Sequence, residues 1–327
     1  MDLRSLALAA TVLIVSPVSA RDLYSSDIYS PEHPAVRAVQ YMAGVLRQRS
    51  NRRLLIADIR EDSGTTEAFT ISQLRLGVLD MARIDLGSLN RLLPEAIAPT
   101  LPAMFGSGAH VRKVMDGPIG DQIRTAMERV GLVGLCFYDG GARSFISMNA
   151  PIRVLSDLAG VRVRVRTRDT WAAMLGAIGA KPVMMPLSQA PAAMLKGVVE
   201  ADETDAASFT AGHLKHIAEF YSLTGHSRSI YVVIFSKRVW DTLPSDDQRL
   251  IKEAANASVD RFLEMRRNNE AETRGVLSAA GVQLVDDVDR RSFVGAVRRM
   301  NSRLVTDLLA LDLIAKIRSA DTELAKE

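Results

Sequence analysis

The sequence predicts an α/β protein of two domains spanned by a long helix, and three observations lead there. Its 327 residues are 47% apolar and only 5% aromatic, a core-forming composition with room for two domains of ordinary size. Strand-like and helix-like segments alternate along most of the chain, which is the rhythm of βαβ units. From Asp246 to Ala280 a helical pattern runs without proline until Gly281 closes it. At 1.5 Å per residue that stretch would reach about 52 Å, more than the width of one small domain. It reads either as a spine lying across both domains or as two helices broken near Asn268 and Asn269.

The first twenty residues stand apart. Arg4, an apolar run from Leu6 to Val15, a break at Ser16-Pro17 and small residues up to Ala20 have the order of a secretory signal peptide cleaved after Ala20, although Asp2 offsets the charge of Arg4. An apolar run of about ten residues is too short for a bilayer that asks for roughly 20, so export followed by solubility is expected. Leu23 to Tyr29 is short and mixed, Ala35 to Gln48 has apolar residues at helical spacing, and Leu54 to Ile59 is extended. Thr66 to Leu76 reads as a helix closed by Gly77, and Val78 to Ile84 leads into another strand. His33-Pro34 and the Pro94 to Pro102 stretch punctuate loops, Val111 to Val130 makes one amphipathic helix, and Leu132 to Tyr138 is a strand. That strand holds Cys136, the one cysteine, so no intramolecular disulfide is possible and a buried, inert thiol is expected. Gly140-Gly141 marks the expected crossing between domains, and Ser245 with Gln248 has capping-box spacing ahead of the long helix.

The most distinctive stretch runs from Ser156 to Glu203. Residues two apart on a strand share a face, so Arg162, Arg164, Arg166 and Arg168 line one side while Val161, Val163 and Val165 line the other. Such a row is either a solvated face or an anion-holding surface. Arginine suits the second role, because its planar, permanently charged fork gives two parallel hydrogen bonds to a carboxylate.

Charge and motifs exclude several functions. Forty-one basic and 38 acidic residues leave a net charge of +3, too balanced for a nucleic-acid surface. No phosphate-cradling glycine loop, zinc-type His-Glu-x-x-His, paired cysteines or Gly-x-Ser-x-Gly elbow is present, so no cofactor or metal is expected. His213 and His216 stand three apart but lack acidic or thiolate company, which favours a surface feature over a ligand pair. Asp202, Glu203 and Asp205 form an acidic cluster that reads as an ordinary turn, as a cation site or as an acid and base.

Several stretches in colinear order carry a resemblance. They are Leu158 to Val165, the turn from Gly179 to Ser188, Leu195 to Glu200, Pro31 to Pro34, Leu76 to Ala82, Leu101 to Phe105, Gly140 to Arg143, Leu223 to His226 and Lys237 to Pro244. Together they resemble the periplasmic solute-binding proteins of tripartite ATP-independent periplasmic (TRAP) transporters, of dicarboxylate-binding type, over nearly the whole mature chain. The resemblance implies a two-domain periplasmic binding protein, type II-like, with hinged lobes that close on a small organic acid and deliver it to the TRAP membrane permease. It implies domain I from residues 21–140 plus 230–268 and domain II from 141–229 plus 269–327, with the long helix spanning both. It also implies a periplasmic protein without enzymatic activity; its oligomeric state stays open, with a monomer the default for a protein that must dock to a membrane partner.

By the same resemblance, Arg164 ends the Leu-x-Gly-x-x-x-Arg strand and pairs with the ligand carboxylate, Arg143 supplies a second guanidinium, and Asp85 places an acidic group after its strand. Many relatives carry Asp-Gly-Gln-Glu-Asn-Pro where this chain has Glu200 to Asp205, so Glu203 is kept and Thr204 stands in place of the ligand-reaching asparagine. Threonine offers one hydroxyl instead of an amide. Arg166 replaces a frequent proline and Leu187 a frequent aromatic, departures that point to a more acidic and less planar ligand. A periplasmic ligand sensor serving a signalling receptor shares these features, and an exported enzyme is the remaining alternative.

Overall fold

The computed structural model describes residues 20–62, 64–166 and 170–320; the expected leader up to residue 19 and Arg168 lie outside them. The chain begins with β1 (Arg21–Asp27), α1 (Pro34–Arg49), β2 (Leu54–Glu61), α2 (Glu67–Leu76) and β3 (Met81–Asp85). Pro34 opens α1 at a position whose amide would be unbonded anyway, and Arg47 and Arg49 sit at its negative end. Thr66 caps α2 by accepting from the Phe69 amide, and Gly77, at φ 74°, closes it in a left-handed turn.

Next come α3 (Ile97–Thr100), α4 (Gly108–Met115) and α5 (Pro118–Glu128). The single helix expected over 111–130 is thus two, because Pro118 brings no amide hydrogen and opens a new helix behind the extended Gly117. A Cβ at Gly120 would lie 1.8 Å from the Met115 carbonyl oxygen, so the two helices meet where only glycine fits.

β4 (Leu132–Ser147) is far longer than the strand expected to end at Tyr138. It runs straight through Gly140-Gly141, where the register shifts between Asp139 and Gly141 and Gly141 adopts φ 95°. A bulge inside a continuous strand therefore takes the place of a loop crossing. The chain continues through β5 (Arg162–Val165), α6 (Thr170–Ala177), β6 (Lys181–Met184), α7 (Ala190–Leu195), β7 (Ala201–Asp205), α8 (Ala206–Ala211) and β8 (Phe220–Ser236). It ends with α9 (Lys237–Trp240), α10 (Ser245–Ala279), β9 (Gln283–Val285), α11 (Arg290–Leu304) and α12 (Leu308–Ser319).

The strands form one sheet in the order β2-β1-β3-β8-β4-β7-β5-β6, with β9 added to β8. Parallel pairs at each end, β1 with β2 and β3, and β5 with β6 and β7, are joined in the middle by the antiparallel ladder of β4 and β8. Those two long strands carry the chain between lobes. The first lobe has a core on each face of its sheet, one including Leu74, Ile84, Ile123 and Ile234, the other Leu23, Met42, Phe235 and Phe262. The second lobe packs around Phe145, Val163, Leu175 and Phe293 and around Ile146, Met194, Tyr221 and Leu277.

α10 is one uninterrupted helix of 35 residues, with Ile251 and Phe262 in a first-lobe core and Leu277 in a second-lobe core. It is the spine. Its start departs from expectation: Pro244 occupies the cap position with no side-chain bond, and Gln248 instead donates to the carbonyls of Trp240 and Leu243. The C-terminal segment also departs. Residues 269–327 were expected in domain II, yet Leu313, Ile314 and Ile317 of α12 complete the first-lobe core beside α3. The apolar stripe of α12 finds its partner surface there, while α11 bridges the lobes, with its Phe293 in one core and Val305, just past its end, in the other.

Candidate functional site

Where the two parallel halves of the sheet face each other, the C-terminal ends of β3, β5 and β7 and the middle of β4 converge. Ligand crevices form at such strand ends, because side chains from several strands reach one point. A cavity of about 310 Å³ lies here, lined among others by His33, Arg143, Arg164, Arg166, Glu203 and Thr204.

Arg143 on β4 stands across the ladder from Asp205 on β7, and Glu203 lies two residues along that strand. Arg143 donates from Nε to Glu203 Oε2 at 2.5 Å, from Nη2 to Oε1 at 2.7 Å and to the Glu203 carbonyl at 2.6 Å, and from Nη1 to Ser229 Oγ at 2.9 Å. Burial pushes the Glu203 carboxyl up, but the Arg143 charge outweighs it and holds the group below the usual carboxylate range. Arg143 is therefore committed to its own protein.

Arg164 is 3% exposed. Its Nε donates to the Met185 carbonyl at 3.2 Å and its Nη1 lies 3.5 Å from Asp202 Oδ2, a loose contact. Burial raises the Asp202 pKa, with Arg164 partly offsetting it. Arg166 reaches the other way, donating from Nη2 to Asp85 Oδ2 at 2.8 Å. Arg162 turns out of the crevice, onto the carbonyls of Val198 and Gly197 and toward Glu200. The arginine row is thus divided between a structural clasp and the crevice.

Asp85 lies outside the main cavity. It lines two adjoining spaces of about 60 and 50 Å³ together with Arg166 and Glu203. Its Oδ1 accepts from the Gly87 amide at 2.9 Å, and its own amide donates to Glu67 Oε1 at 3.0 Å. Thr204 lines the main cavity, with its carbonyl accepting from the Tyr221 hydroxyl at 3.3 Å.

His33, read from sequence only as loop punctuation, is part of the site. Its Nδ1 accepts from the Ala35 amide at 3.1 Å and caps α1, which leaves Nε2 as the donor toward Ser208 Oγ at 3.2 Å. The ring stacks on Tyr29 at 4.1 Å. Burial lowers its pKa to about 3, so the imidazole is neutral.

The acidic cluster is not arranged for acid and base work. Asp205 accepts from the Ser208 amide and hydroxyl, the Ser229 hydroxyl and the Tyr231 hydroxyl, all at 2.8–2.9 Å. Although burial opposes its charge, Arg143 and those donors hold its pKa down. Glu203 and Asp205 are thereby fixed as carboxylates. His213 and His216 are both exposed, with His213 at the cavity margin. Among the described residues, no group of three or more His, Cys, Asp or Glu side chains is placed to hold a metal ion. Cys136 is buried and free, and burial pushes its thiol up to about 12.

Solved structures and curated proteins share this architecture. A TRAP periplasmic solute-binding protein from Bradyrhizobium sp. BTAi1, in complex with α/β-D-galacturonate, is 38% identical over 91% of this chain and 99% of its own, with a TM-score of 0.87. One from Xanthobacter autotrophicus Py2 with bound β-D-galacturonate is 36% identical over 91% of this chain and its full length, again with a TM-score of 0.87. The 2,3-diketo-L-gulonate-binding periplasmic protein YiaO of Escherichia coli K12 is 23% identical over 91% of this chain and 92% of its own. No described helix is long and apolar enough to cross a membrane. Residues 25–305 match the DctP model, bacterial extracellular solute-binding protein family 7, and the chain accordingly belongs to that family as a TRAP-type extracytoplasmic solute-binding protein of a transport system, not an enzyme.

Proposed function

We propose that this protein captures a hexuronate-type sugar acid, with D-galacturonate the leading candidate, in the periplasm and hands it as a monomer to a TRAP membrane permease. The observation that carries the ligand class is the composition of the crevice. Each of its three guanidiniums lies against a carboxylate: Arg143 on Glu203, Arg164 on Asp202 and Arg166 on Asp85. Such a site has no surplus cation for a second ligand carboxylate, while its carboxylates and hydroxyls suit a ligand rich in O–H donors. The extra charge of Arg166 therefore does not favour a more acidic ligand. A volume of about 310 Å³ suits a single sugar ring, and galacturonate occupies the similar proteins at 38% and 36% identity.

In this reading Arg164, with only a loose internal partner, receives the ligand carboxylate, and the lobes close because the ligand binds the closed state more tightly. Thr204 supplies a hydroxyl to the sugar, and the Arg143–Glu203 pair shapes the wall. Residues 1–20 act as the export signal. Titration calorimetry with D-galacturonate, D-glucuronate, succinate and D-galactose tests the proposal. Binding of the uronates well above succinate and galactose is expected; tighter binding of succinate would overturn the ligand class.

A further inference from the structure

We infer that Arg166 is a specificity-determining residue with two simultaneous partners: its Nη1 takes an oxygen of the bound acid while its Nη2 holds Asp85 across the crevice. The inference rests on the acid-binding reading above and adds to it a coupling between capture and closure. Three features of the geometry support it. Arg166 follows β5 in the second lobe, whereas Asp85 ends β3 in the first, so their 2.8 Å bond crosses the opening that closure must seal. Arg166 borders the main cavity and both small spaces beside it, a position shared with Glu203.

The third feature concerns its other nitrogen. Arg166 Nη1 is buried and has no hydrogen-bond partner among the described residues. Arg143, by contrast, has Nε and both Nη atoms bonded within the protein. A buried guanidinium N–H without an acceptor makes the fold less stable until an oxygen arrives, and a ligand oxygen arriving there strengthens the closed arrangement. Asp85 is itself tied down by the Gly87 amide and by Glu67, which also contacts the fully buried Arg83. Arg166 therefore anchors on a rigid first-lobe network, and ligand contact at one nitrogen is read as lobe contact at the other. A proline at this position could do neither.

The test is a double-mutant cycle on the full mature protein, read by calorimetry with D-galacturonate. Arg166→Gln is expected to weaken binding ~10- to 100-fold and Asp85→Asn by a smaller factor, ~3- to 10-fold, because only the first removes the ligand contact. Arg162→Gln, on the same strand but outside the crevice, is expected to stay within about twofold. Affinity within twofold of wild type for Arg166→Gln overturns the inference. So do equal losses in Arg166→Gln, Asp85→Asn and the double variant, which would make the pair a strap without ligand contact. If the wild-type protein binds succinate and not the uronates, the proposed ligand class fails, and the same cycle run with succinate still decides the role of Arg166. Thermal unfolding of each variant without ligand separates a folding defect from lost binding.

Discussion

Arg143 and Glu203 form a two-pronged ion pair with both side chains less than one-tenth exposed, fastening β4 to β7 in the wall of the crevice. Taking two charges out of water is costly, and their attraction repays it only because the geometry is close and the remaining donors are satisfied.

Removing one member is therefore more damaging than removing both. Arg143→Ala is expected to cost about 3–5 kcal/mol of unfolding free energy, since it leaves a buried carboxylate without its partner. Arg143→Met combined with Glu203→Leu should be markedly milder. Urea unfolding of the single and double variants measures the difference, and a double variant as unstable as Arg143→Ala would contradict the account.

Arg164 and Arg162 separate binding from scaffolding. Truncating the crevice arginine, Arg164→Ala, should reduce affinity for the bound acid by about 2–5 kcal/mol, some 30- to 5000-fold. Arg162→Ala removes a clasp onto Gly197 and Val198, so it should lower thermal stability slightly and leave affinity nearly unchanged. Calorimetry on both variants gives the ranking; equal losses would mean a diffuse anion surface.

His33 makes stability fall in mild acid. Its folded pKa is about 3 against an ordinary 6.5, so the unfolded chain takes up a proton below pH 6.5 that the folded protein refuses. Stability is consequently lost as pH falls through that window, by about 2 kcal/mol at pH 5. His33→Asn keeps a capping oxygen for the Ala35 amide and should flatten the slope between pH 6.5 and 5. Glu203 acts lower down: its depressed pKa gives stability that is present above the ordinary carboxylate value and lost as pH falls below it.

Cys136 should be silent toward thiol reagents in the native state. It is 3% exposed within β4, and burial holds its pKa near 12, so hardly any thiolate exists at neutral pH. Modification with a chromogenic disulfide is expected only after unfolding, and rapid native reaction would show that β4 opens locally.

The parts of the fold visible in the sequence were those governed by local chemistry. Thr66 and Gly77 bound α2 as expected, and an unbroken helical pattern became the single helix α10. What local pattern missed was decided by contacts distant in sequence. Nothing local says that β4 continues through Gly140 and Gly141, because its partner β8 lies some ninety residues later and supplies the ladder. The Arg143, Arg164, Glu203 and Thr204 positions do converge on one cavity, whereas Asp85 enters it only through Arg166. His33 escaped notice because a histidine before a proline looks like any loop, and its burial depends on Tyr231 and Ser208 arriving from far along the chain.

The docking of α12 on the first lobe has a temporal consequence. A polypeptide that emerges N-terminus first must wait until Ile317 is out before the surface around Ile84 and Ile123 gains its last cover. The first half of the clamp therefore cannot complete itself until the second has been delivered, so competence to trap a solute arrives late, as a property of the entire strand of amino acids.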